Sequence, residues 1–134
     1  MPVFRSRKYR DENITGVYLN CAHKTGIADF SFWLGTQDEV TVFSAYYTAE
    51  GGKTEMNDVE VPYDELQYFI DLSKKIELVP RLRKYRRKMK NRVPSDPECT
   101  LELKFSDTAI LGASFSEFDR ELILFFYNLS DKYK

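Results

Sequence analysis

The chain is predicted to fold as a single α+β domain over residues 1–134. Its expected frame is an antiparallel β-sheet, a meander of three to four strands plus a C-terminal hairpin, packed against two amphipathic helices. Three observations carry that reading. Apolar residues alternate with a period of two up to Val61 and again from Leu101 to Phe115, two other segments switch to helical spacing, and 134 residues are what one core can organise.

The first strand is read from Val17, Leu19 and Cys21, which alternate with Tyr18 and Asn20 as on a strand with one buried face. His23 to Gly26 supplies a turn. Phe30, Phe32 and Leu34 then alternate with Ser31 and Trp33, and Gly35-Thr36-Gln37-Asp38 reads as the hairpin loop to a third strand. That strand, Glu39 to Tyr47, is dense in β-branched and aromatic residues. After Gly51-Gly52, the stretch from Glu55 to Val61 is a weaker strand whose acidic residues suit a sheet edge, where charge discourages pairing with another molecule.

Helix follows. Pro62 suits a first turn, Asp64 and Glu65 place negative charge where the helix dipole favours it, and Leu66, Phe69, Ile70 and Ser73 recur at helical spacing. The stripe continues through Ile76 toward Val79, where Pro80 is expected to interrupt it. A basic run leads to the loop Pro94-Ser95-Asp96-Pro97. Leu101, Leu103 and Phe105, then Leu111, Ala113 and Phe115, alternate on either side of Ser106-Asp107-Thr108 as a hairpin. Ser116, with Asp119 three residues on, is placed to cap a closing helix whose stripe is Leu122, Phe125, Phe126 and Leu129, ending near Asp131.

The two parts share a plan of hairpin followed by helix, with a Leu-Ser pair closing each stripe at 72–73 and 129–130. A hairpin-helix pseudo-repeat, 15–79 and 99–132 with the basic segment 81–92 between, is therefore a candidate. Similar residue classes in two amphipathic helices would produce the same likeness. Leu19, Phe32, Val42, Phe69, Leu103, Phe115, Leu122 and Phe126 are the expected core.

Composition narrows the function classes. Twenty basic residues against 21 acidic leave a formal charge of -1, so no global field draws the protein to nucleic acid, anionic lipid or acidic substrates. Any charged partner must be read by a local patch. The basic start, MPVFRSRKYRDEN, is followed by no apolar run of signal length, and no stretch reaches membrane-span length, so cytoplasmic placement is expected. Cys21 and Cys99 stand far apart with no CxxC spacing, and both are read as small buried thiols.

No set of residues has the types and spacing of a known catalytic or metal chemistry, so neither enzyme activity nor a cofactor or metal is expected. His23 is the only histidine; with Cys21 it shares a strand face but lacks a third ligand. Gly51-Gly52-Lys53-Thr54 resembles the end of a phosphate loop but has Tyr47 where the first glycine belongs. Asp58, Glu60, Asp64 and Glu65 cluster at a strand edge and a helix start, positions that explain them without acid-base work.

One segment rises above background. From Arg81 to Arg92 the chain carries Arg81, Arg83, Lys84, Arg86, Arg87, Lys88, Lys90 and Arg92, with Tyr85 among them. As a helix it would set Leu82, Tyr85 and Met89 in a narrow apolar stripe and fan its cations around the rest. Arg5, Arg7, Lys8 and Arg10, with Tyr9, would extend the patch if the N-terminus packs nearby. A solvated helix neutralised by the acidic stretch from Glu55 to Glu65 is the alternative. Trp33, Phe43, Tyr46 and Tyr47 cannot all face the core alongside Phe32, Val40 and Val42. Part of that aromatic surface is exposed, to bind a partner or a second copy, or lies under the basic segment. The expectation is a non-enzymatic interaction protein, and the alternative is a small nucleic-acid-binding protein that uses residues 81–92.

Overall fold

The computed structural model describes residues 9–22, 30–49, 52–88, 98–115 and 120–134, with backbone alone for 22, 49, 85–88, 98, 114 and 115. Strands β1 (Ile14–Ala22), β2 (Phe30–Gln37), β3 (Val40–Ala49) and β4 (Gly52–Val61) precede helices α1 (Tyr63–Lys75) and α2 (Leu78–Lys88). Strands β5 (Glu98–Phe105) and β6 (Ile110–Phe115) and helix α3 (Arg120–Tyr133) follow. All pairings are antiparallel in the order β4-β3-β2-β1-β5-β6, so the meander runs to one edge and the C-terminal hairpin attaches through β5 to β1. This is the α+β sheet that the alternation predicts. The basic segment adds a third helix to the two expected.

All three helices cover one face. Val17, Leu19, Phe32, Leu34, Phe43, Tyr47, Leu101, Leu103 and Leu111 point into one core with Leu66, Phe69 and Ile70 of α1, Leu78, Val79 and Leu82 of α2, and Leu122, Phe126 and Leu129 of α3. Its centre is aromatic: Phe126 stacks on Phe32 with ring centroids 5.3 Å apart, and Tyr127 meets Phe32 and Tyr47 edge-on. The buried hydroxyls have partners, Ser130 with Tyr47 at 2.9 Å and Ser73 donating to Asp11, as low-dielectric surroundings require. Six of the eight expected core residues belong to this cluster. Val42 is also buried but lies on the opposite face, because strand alternation turns Phe43 inward instead. The Phe115 side chain, the His23 turn and the Ser116 cap lie outside the described residues.

Three local features depart from the sequence reading. The β2–β3 loop is not Gly35 to Asp38; strand pairing runs on to Gln37 opposite Val40, and Asp38 and Glu39 alone turn the chain, both at positive φ (51° and 68°). Paired positive φ values match strand twist in a two-residue hairpin. Pro80 does not end the first helix. The break is at Glu77 (φ 54°), and Pro80 falls in the first turn of α2, where its missing N–H breaks no helical bond. Gly52, Lys53 and Thr54 belong to β4 rather than to a loop.

Edge strand β4 carries a bulge at Asp58 (φ 48°), whose N–H donates to Ser44 Oγ at 2.9 Å. Bulge and acidic side chains together discourage further strand addition. On the helical side, Glu65 is buried yet pairs with Lys132 at 2.7 Å and accepts the Tyr133 hydroxyl. The hydrogen bond that Lys132 donates to Glu65, and the carboxylate charge, hold the ammonium pKa above its usual value. Burial first, then Glu65, pushes the Tyr133 phenol up, and burial, then Tyr47 and Cys21, does the same to Tyr127.

All three groups keep their protons to higher pH in the folded chain than in the unfolded one. The stability they contribute is complete below about pH 10 and is lost as pH rises through the folded values. The melting temperature is expected to fall above about pH 10, and more gently in Glu65→Gln, which lacks the carboxylate acting on Lys132 and Tyr133. Thermal melts from about pH 8 to pH 11 check this; parallel curves for the two proteins would remove Glu65 from the account.

Candidate functional site

Two surfaces stand out once the topology is known, one basic and one aromatic. Sequence places the first. Twelve of the 20 Lys and Arg residues fall within 5–10 and 81–92, which contain no acidic residue, while the other 116 residues carry eight cations and all 21 acids. A net charge of -1 therefore conceals a strong separation.

α2 presents the basic segment. Leu82 is fully buried and fastens the helix, which packs on β6 and α1. Arg81 donates to the Ile76 carbonyl at 3.4 Å, Arg83 is half-buried and Lys84 is exposed. Tyr85, Arg86, Arg87 and Lys88 continue the helix in backbone, and Lys90 and Arg92 lie outside the described residues.

Tyr9 of the N-terminal stretch reaches the same place, while Arg5, Arg7 and Lys8 lie outside the described residues and Arg10 pairs with Glu12 at 3.7 Å. Tyr9 packs edge-on against Phe105 with centroids 5.4 Å apart, and the Arg83 guanidinium lies 5.9 Å above the Tyr9 ring, within cation-π range. Nothing in either segment alone announces this contact; Phe105 of β5 supports the Tyr9 ring on which Arg83 lies. The acidic stretch is elsewhere. β4 forms the edge opposite β6, and five strand spacings of about 4.8 Å separate them by about 24 Å, three times the ~8 Å screening length at physiological salt. Glu65 is taken up by Lys132 and Tyr133.

The second surface is the other face of the sheet, on which none of the three helices packs. Strand registers set its residues in rows. Ile110, Lys104, Gly16, Gly35, Val42 and Glu60 form the first; Gly112, Glu102, Tyr18, Trp33 and Ser44, with Asp58 at the bulge, form the second. Thr100, Asn20, Ser31, Tyr46 and Glu55 lie in the third.

Trp33 lies across the two facing glycines. A Cβ added at Gly16 would stand 2.4 Å from its ring, and one at Gly35 2.3 Å. Only hydrogen at both positions lets the indole lie flat, which explains a glycine that sequence alone assigns to a turn. Lys104 Nζ stands 5.1 Å from the ring centroid, and the buried indole Nε1 has no hydrogen-bond acceptor. Trp33 and Tyr46 are thus the part of the aromatic set that turns away from the core, with Tyr18 beside Trp33 on the next strand; the described part of α2 packs on the other face.

Of the remaining sequence candidates, His23 and Gly51 lie outside the described residues. Cys21 is buried against Cys99 rather than paired with a ligand set, and among the described residues no three His, Cys, Asp or Glu side chains gather as a metal group. Among the same residues no helix is long and apolar enough to cross a membrane. Comparison of the chain with protein-family models, with curated proteins and with solved structures returned no match.

Proposed function

We propose that the protein acts by binding, without catalysis, and that its charged partner is a nucleic acid held along residues 81–92. The observation that carries the reading is Tyr9, wedged between Phe105 and Arg83, which sets one aromatic side chain of the N-terminal basic stretch against the helix that bears the larger basic run. Self-repulsion of so many cations costs stability unless a partner offsets it, and the acids of β4 lie too far away to do so. A phosphate polymer offsets it by releasing counterions. The cytoplasm is the setting this reading implies.

The test is binding of mixed-sequence RNA and DNA across a salt series, by the wild type and by a variant with Arg83, Arg86, Arg87 and Lys90 reversed to Glu. The wild type is expected to bind at low salt with affinity falling steeply as salt rises, and the variant to lose at least about 100-fold. Circular dichroism checks that its fold persists although Arg83 gives up its contact with Tyr9. Equal binding by the two proteins, or none by the wild type at low salt, overturns the proposal.

A further inference from the structure

We propose that a second copy of this chain covers the helix-free face of the sheet. Among the described residues, three of the six large apolar side chains left exposed, Val40, Tyr46 and Ile110, are on this face, beside Tyr18 and Trp33. Six strands at about 4.8 Å and three same-face rows at about 6.8 Å give roughly 600 Å² in projection, which side-chain relief brings toward the ~800 Å² per partner of a stable interface.

Charge selects one arrangement. A two-fold axis across the strands would set β4 on β4, with Asp58 against its own copy and Glu55 against Glu60. A two-fold parallel to the strands, between β1 and β2, sets β4 of one copy over β6 of the other, so that Glu60 meets the row of Ile110 and Lys104. The pair of facing glycines then lies at the axis, and the two sheets pack as an aligned sandwich. Both helical layers, and with them the basic segments, face outward.

Sedimentation velocity over a concentration series in reducing buffer tests this. Twice the chain mass is expected. Glu60→Lys or Lys104→Glu alone should weaken the dimer by about tenfold, and the double exchange should bring it back to within about threefold of wild type. Circular dichroism confirms that each variant folds. A monomer up to about 200 µM overturns the proposal. So does a dimer that neither single change weakens, or that the double exchange weakens further. Nucleic-acid binding is read separately, so either result stands without the other.

Independently, the β1–β5 register sets Cys21 opposite Cys99, both thiols buried, with Sγ atoms 2.6 Å apart. We infer that they form a redox pair convertible to a cross-strand disulfide without rearrangement of the sheet. Facing residues on antiparallel strands have Cα atoms about 4.5–5.5 Å apart, inside the ~4.4–6.8 Å range a disulfide spans. A small disulfide such as oxidised glutathione is the oxidant. One cysteine thiolate attacks it, breaking its S–S bond and releasing one glutathione. The second attacks the mixed disulfide, forming the Cys21–Cys99 bond and releasing the other. Two electrons pass from the protein sulfurs to glutathione, and the two thiol protons end on its thiols.

The chain is refolded from urea in glutathione buffers of stepped potential, so that burial does not limit access, then acid-quenched and alkylated for mass analysis. In oxidising buffer the expected product is a monomer lighter by two hydrogens with no alkylation, reversed by dithiothreitol and melting at higher temperature. Cys99→Ser should remain alkylatable or carry one glutathione. Two alkylated cysteines in excess oxidised glutathione, or only mixed and intermolecular disulfides, overturn the inference.

Discussion

Replacing Phe126 with Ala is expected to cost about 3–5 kcal/mol, a large part of the roughly 5–15 kcal/mol that holds a domain of this size together. The ring is fully buried, nearly parallel to Phe32 at 16°, and touches Phe69 and Phe125 with centroids 5.9 and 5.2 Å away. Its neighbours are stiff aromatic rings on three different elements, so they cannot close over the void. The lost contacts therefore add to the lost transfer energy. Calorimetry should show a melting temperature lower by on the order of 10–20 °C. Leu124, on the same helix but exposed, is the control, and its change to Ala should move stability by no more than about 0.5 kcal/mol. Equal losses at the two positions would mean that α3 presents another face to the sheet.

Gly35→Ala is expected to destabilise by about 1–3 kcal/mol, although alanine ordinarily strengthens a strand relative to glycine by about 0.5–1 kcal/mol. The sign is set by Trp33, whose ring atoms lie 2.3, 2.7 and 2.9 Å from where the methyl would be. Since Trp33 is the only tryptophan, its fluorescence reports the displacement directly, and emission should shift to the red. In a Trp33→Leu background the same glycine change should become neutral or stabilising. A double-mutant cycle with no coupling between the two positions would show that the indole does not rest on Gly35.

The parts of the fold legible in the sequence are those set by local alternation. Leu19, Phe32, Leu103, Leu122 and Phe126 declare their faces because a strand or helix repeats every few residues, and all five are in the core. What local pattern cannot carry is the meaning of a residue fixed by a neighbour across the sheet. Gly35 reads as a turn residue until Trp33 is seen lying on it, and Asp38-Glu39 lacks the glycine that marks most two-residue turns. Pro80 reads as a helix end because its place in a first turn depends on Glu77 having already broken the helix. For the site, the charge run of α2 was plain, since density needs no partner to be read. The approach of Tyr9 to Arg83 and the distance of α2 from β4 both follow from strand order, which no periodicity encodes.

That order also bears on how the chain is made. β1 is flanked by β2 and β5 in the finished sheet, yet its pairing with β5 spans 78 residues at Cys21 and Cys99. During synthesis the strand destined for the interior is therefore an open margin, with Val17, Leu19 and Cys21 along it. At about 5–20 residues per second, the interval between the emergence of Ala22 and that of Glu98 is about 4–15 s. For that time the nascent chain offers an unpaired apolar strand of the kind that captures other chains. Slower initiation or lower temperature during expression should accordingly raise the soluble yield, by reducing the number of such unfinished sheets present together.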